Sequence, residues 1–172
     1  MFGLKRLPSG VRPALERDER VLAWARAGAE PPSAVVVTTL GVWLPGRDRL
    51  PWYAIHKATW GASQLTVVPS VRVSEAEGYD VMADGPPVTV TLADPKDVPH
   101  EIRTRVTRSV AYTSHHPFPD GGGVRVVGRR VAGRNGLLWH VRFDDGTDTT
   151  DPEVVAATDA LVAEASAPVE GL

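Results

Sequence analysis

Apolar and polar positions alternate with a period of two over much of the chain, and that pattern predicts short strands. Residues 34–60, AVVVTTLGVWLPGRDRLPWYAIHKATW, read as three strands in succession. Val35, Val36 and Val37 form a β-branched run, Leu40-Gly41 can turn the chain, and Val42, Trp43 and Leu44 form a second run. Pro45-Gly46-Arg47-Asp48 has the composition of a turn, and residues 52–60 make a third strand with aromatics at both ends. Such a meander cannot bury its apolar face alone, so the flanking segments must complete the sheet. Upstream, residues 21–26 alternate as a strand, although residues 15–27 also fit a helix; Pro31-Pro32 end the segment. Before it, Glu16-Arg17-Asp18-Glu19-Arg20 reads as a solvated charged run. Downstream, residues 64–68 and 88–92 read as strands, with Val88, Val90 and Leu92 on one face. Residues 71–82 alternate and then turn polar, which suits a strand broken by a loop.

The period then becomes helical. Asp97 can cap a helix that carries Pro99 in its first turn, and Val98, Ile102, Val106 and Val110 repeat every four residues as far as about Tyr112. Residues 114–123 read as a loop ending in three glycines. A hairpin is predicted over residues 124–131 and 137–143, with Asn135-Gly136 at the turn and Leu137, Trp139, Val141 and Phe143 on one apolar face. Asp151 caps a last helix with Pro152 at its first position, buried through Val154, Val155, Thr158, Leu161, Val162 and Ala165. The expected fold is α+β: an antiparallel barrel or curled sheet capped by one helix, then a β-hairpin and a helix. The expected organisation is an arm over residues 1–15, loose or folded into one packed turn, a barrel over 16–113, an extension over 120–167 and a disordered tail over 168–172.

Residues 16–112 resemble the pleckstrin-homology-like (PH-like) barrel, particularly its short bacterial versions. The likeness rests on order: Val35-Val36-Val37-Thr38-Thr39, then Gly41-Val42-Trp43-Leu44-Pro45, then Leu50-Pro51-Trp52-Tyr53-Ala54-Ile55, and a closing helix from Val98. It does not extend to the strand–strand–helix that follows. The chain is also similar to a protein family of GC-rich, actinobacterial-type bacteria, whose function the likeness does not supply. The PH-like resemblance implies a scaffold that binds lipids, peptides or proteins through edges and loops. In the loop matching the inositol-phosphate clamp, Pro45-Gly46-Arg47-Asp48-Arg49, an acid separates two arginines. Phosphoinositide binding is therefore not expected.

Charge sharpens this picture. The net charge of −2 points to neither a polyanion nor a polycation as general partner. Its distribution is uneven. Arg103, Arg105, Arg108, Arg125, Arg129, Arg130, Arg134 and Arg142 stand against Asp120 alone, and from Asp144 onward the ionisable residues are all acids. One reading is internal cancellation. The other is an outward patch in which Arg129, Arg130 and Arg134 at the hairpin tip, with Arg103, Arg105 and Arg108 on the helix, contact RNA, DNA or an acidic protein. Aromatic stacking partners on the hairpin are scarce, which weakens single-strand binding.

Cysteine is absent, which excludes disulfides, thiolate metal sites and cysteine nucleophiles. No run approaches the ~18 apolar residues of a membrane span, and the opening residues lack a secretory apolar core; a cytoplasmic protein is expected. His56 reads as a structural histidine, although Trp52, His56 and Trp60 share a face that could line a pocket. His115-His116 reads as a loop pair. Asp144-Asp145-Gly146-Thr147-Asp148 lacks the closing glutamate of a calcium loop, and Gly121-Gly122-Gly123 leads into a strand and not a helix. No catalytic, metal or cofactor residues are assigned. The expected function is a non-enzymatic binding or adaptor module for a protein partner. The alternative is a nucleic-acid-associated protein, and a homo-oligomer is compatible with either.

Overall fold

The computed structural model describes residues 6–28 and 31–168. The reading that the opening residues lack a secretory apolar core and the expectation of a disordered tail fall largely on residues 1–5 and 169–172, outside the described residues. The fold is mixed α+β, with two α-helices among the described residues, a strongly curled half-barrel sheet and a separate sheet. The chain forms two compact units, Met1–Ser70 with Asp84–Ser109, and Val71–Ala83 with Val110–Leu172.

In the first unit β1 (Val21–Ala27), β2 (Ser33–Thr38), β3 (Gly41–Trp43) and β4 (Leu50–Pro51) pair in order, each antiparallel to the next. The following strands are β5 (Ile55–Gly61), β6 (Gln64–Ala76), β7 (Tyr79–Asp84) and β8 (Val88–Thr91). Of these, β5, the first part of β6 and β8 belong to this unit; β6 pairs antiparallel with both β5 and β8. Helix α1 (Val98–Ser109) packs on β1, β2 and β5. Its four-residue repeat sends Val98 and Ile102 into a core of Val35, Val37, Val42, Ile55, Leu65 and Leu92. Val36 points the other way, into a small second cluster with Trp24, Ala34 and Leu7. The valine run is therefore buried on both faces, and Ser9–Val11 forms a short 3₁₀ turn whose Val11 packs at the edge of the second cluster.

Two local expectations change here. Residues 52–60 are not one strand: Trp52–Ala54 is a 3₁₀ turn, and its buried Trp52 donates its indole N–H to the Thr38 carbonyl at 3.2 Å. Glu19 is not solvated but buried, for reasons given below. The β3–β4 contact also depends on one glycine. A Cβ on Gly41 would collide with the Leu50 carbonyl oxygen.

In the second unit the second part of β6, then β7, pair in a sheet with β9 (Val110–Pro117), β10 (Gly123–Arg130) and β11 (Leu137–Phe143), in the order β6-β7-β11-β10-β9. Half of the loop expected over residues 114–123 is strand: β9 runs to Pro117 and β10 begins at Gly123, leaving residues 118–122 as the turn. α1 stops at Ser109 because the β-branched and aromatic residues from Val110 to Thr113 pair with β10, Val110 with Arg129 and Tyr112 with Gly128. The pairing is also not wholly antiparallel: β7 and β11 run parallel, through Asp80 with His140 and Val81 with Val141. The meander β9-β10-β11 fixes the direction of β11 before it reaches β7. Helix α2 (Pro152–Ser166), capped by the Asp151 side chain accepting from the Glu153 N–H at 2.9 Å, covers one sheet face. Val162, Leu161 and Ala165 pack with Val124, Val126, Val141, Trp139 and Phe143. Gly128 faces Trp139 on one side and Tyr112 on the other, and the two rings meet edge to face with centroids 5.5 Å apart. A Cβ on Gly128 would lie 2.9 Å from Leu137 Cδ1 and 3.1 Å from the Trp139 ring. The missing side chain gives the rings their space.

Candidate binding surfaces

Helix α1 buries its valine and isoleucine stripe, so its remaining faces present polar residues. His100, Arg103, Thr104, Thr107 and Arg108 line an open groove of about 640 Å³ beside the half-buried Trp60 of β5. Among the described residues no carboxylate lines it. Two guanidinium groups, two hydroxyls and an indole thus share one surface of the first unit, a combination that attracts anions. Arg105, between them in sequence, is half-buried and outside the groove; its Nε is buried with no hydrogen-bond partner among the described residues.

The remaining arginines of the expected patch lie in the second unit and are dissimilar. Arg129 is 5% exposed, which overturns its outward placement. Alternation along β10 puts Arg125, Val127 and Arg129 on the face shared with Leu138, His140 and Arg142. Burial, with the nearby Arg142 charge, pushes the Arg129 guanidinium below its ordinary value. Burial and then the Arg129 charge lower the His140 imidazole as well. Arg130 is exposed, its Nη1 donating to the Val110 carbonyl at 3.4 Å, and Arg134 is exposed in the β10–β11 turn. Among the described residues no ion pair joins Arg103, Arg105, Arg125 or Arg134 to the acids after residue 143. Asp159 instead accepts from the Tyr79 hydroxyl at 2.6 Å.

Asp144 meets the His115 Nε2 at 2.7 Å. A Cβ on Gly123 would sit 2.5 Å from Asp144 Oδ2, and one on Gly122 would collide with Thr147. These glycines are thus required by close packing of the turn. His56 lies 3.8 Å from Asp84.

The most elaborate polar cluster was hidden in the charged run. The Glu19 carboxylate accepts from the Thr38 hydroxyl at 2.6 Å, the Trp43 indole N–H at 3.0 Å, the Arg49 guanidinium at 2.8 Å and the Glu16 N–H at 3.0 Å. Arg49 also donates to Glu16 at 2.7 Å and lies over the Trp43 ring. Burial by itself would raise the Glu19 carboxyl, but these donors together hold it below the usual range. Every oxygen is engaged, so this is a fastening between the segment before β1 and the β2–β4 strands. The sequence signal available was the acid–arginine spacing alone.

Among the described residues no group of three His, Cys, Asp or Glu side chains could hold a metal ion, and no helix is long and apolar enough to cross a membrane. Comparisons with protein families, with curated proteins and with solved structures give no match.

Proposed function

We propose that the chain is a non-enzymatic, cytoplasmic binding module whose first unit is a PH-like barrel and whose ligand is an acidic segment of a protein partner. The observation that carries the reading is the groove of Trp60, His100, Arg103 and Arg108, which places two guanidinium groups together with no carboxylate among the described residues that line it. Four strands, then three, then a helix packed on both groups support the barrel assignment. The cysteine-free composition supports the compartment. Fold alone does not carry function, so the weight rests on the groove.

The test is affinity capture from native cytosol with the wild type and with Arg103→Glu/Arg108→Glu. Both residues are exposed, so the doubly reversed chain should keep its melting temperature. A partner held by the wild type and lost by the variant is the expected result. Equal capture by both removes the groove from recognition. Salt-sensitive retention of single-stranded RNA, lost with the same variant, would move the ligand class from protein to nucleic acid.

A further inference from the structure

The sheet of the second unit has two outer strands, and they are finished differently. On β9 the register slips between Gly128 and Arg129, and Pro117 at the end lacks an N–H. The Arg125 side chain donates to the Thr113 hydroxyl at 3.3 Å, and Arg130 to the Val110 carbonyl. These features discourage another strand from joining. On β6 the described residues show no bulge or proline over residues 71–75, and the charges there, Arg72 and Glu75, lie close to each other. Residues 71–75 are all exposed, contain no Pro, Gly or Lys, and have no strand beyond them among the described residues. Val71 and Val73 share a face and are 40% and 60% exposed. Beside them runs an apolar groove of about 490 Å³, lined by Val73, Ala76, Val81, Met82, Phe143 and Val155. Its surroundings are acidic. Glu75, Glu77 and Asp80 stand against Arg72, which itself lies 3.8 Å from both Glu75 and Asp80, and Asp151 and Glu153 begin α2.

We infer that the β6 edge, Val71 to Ala76, takes up an extended segment of a partner protein as an added strand, with apolar side chains at alternate positions and at least one Lys or Arg. The open ladder supplies backbone hydrogen bonds, the groove receives the apolar side chains, and the acids select the basic one. A second copy of this chain is the poorer occupant. A two-fold axis at Val73 would set Val71 against Glu75 and Arg72 against Ser74, matching no charges. This site is separate from the arginine groove of the first unit.

The test is selection of a displayed random-peptide library on the full chain, followed by synthesis of an enriched peptide. Enriched sequences should alternate apolar residues and carry a basic one. Val73→Lys, a change at an exposed position, should weaken that peptide about tenfold or more, and Val155→Lys likewise. Arg103→Glu should leave it unchanged. Amide exchange within residues 71–76 should slow about tenfold or more in the complex, as in a newly paired strand. Enrichment without alternation, an unchanged affinity for Val73→Lys, or unaltered exchange at these amides would each overturn the inference. Concentration-dependent self-association of the chain alone, abolished by Val73→Lys, would also overturn it in favour of a second copy.

Discussion

Glu19→Ala tests the physical reasoning most directly. The Glu19 side chain is fully buried, and its removal strands the part-buried Trp43 indole N–H and deprives Arg49 of one of two carboxylates, while the Thr38 hydroxyl keeps the Gly41 carbonyl at 3.2 Å and the N–H of exposed Glu16 turns to water. Each stranded buried donor costs about 1–3 kcal/mol. Arg49 keeps Glu16 and some solvent, since its side chain is 20% exposed, so the charge contribution is discounted. Breaking a buried pair from one side costs about 3–5 kcal/mol, and we expect Glu19→Ala to fall in that range. Glu19→Gln keeps one acceptor oxygen and should cost about 1–3 kcal/mol. The pH dependence has a fixed sign. The folded carboxyl lies below its unfolded value, so its contribution is complete above the unfolded pKa of ~4.3 and is lost as pH falls through the lower, folded value. Urea unfolding followed by tryptophan fluorescence suits the measurement, because Trp24, Trp43, Trp52 and Trp60 all lie in the first unit. A loss below about 0.5 kcal/mol for Glu19→Ala at neutral pH, typical of surface changes, would refute the argument. So would an acid limb of the same depth in Glu19→Gln.

Two further predictions concern single positions. Gly41→Ala drives a Cβ into the Leu50 backbone, which no rotamer change can relieve, and should cost about 1–3 kcal/mol or more. Gly10→Ala, with nothing within 4 Å of the added atom, is the control for Gly41→Ala, and denaturant midpoints that drop equally would refute the steric account. Tyr79→Phe removes the hydrogen bond to Asp159 and should cost about 1 kcal/mol. Burial, then that hydrogen bond and the Asp159 charge, push the Tyr79 phenol up. Its contribution therefore persists below the unfolded pKa of ~10 and disappears as pH rises through the folded value. Alkaline difference spectra should contain one phenol that resists ionisation, missing in Tyr79→Phe.

Local order was the most legible part of the fold. The valine run, the Val98–Ile102 stripe, the Asp151-Pro152 start and the Leu137-to-Phe143 alternation each state a periodicity that packing then uses. Long-range pairing was not legible. Nothing in Asp80 or His140 announces a parallel partner far along the chain, and Val110 to Pro117 reads as helix end and loop until β10 lies beside it. Of the arginines expected to bind, Arg103 and Arg108 emerge on the helix faces that the apolar stripe leaves uncovered. Arg129 fails because it and Val127 are buried on the same face of β10 that leaves Arg125 exposed, which alternation cannot reveal. Glu19 fails for a related reason: a charged run looks solvated unless its donors, Thr38, Trp43 and Arg49, are known to converge.

The second unit takes the paired strands β6 and β7 from the middle of the chain and the rest of its sheet from the end. On the ribosome that hairpin would leave the exit tunnel long before β11 was synthesised, with its apolar groove face bare to chaperones and to other nascent chains. A cut at residue 110 leaves the β1–β4 sheet whole and divides only the sheet of the second unit, so the fragment from residue 110 onward, lacking β6 and β7, should be unfolded by circular dichroism.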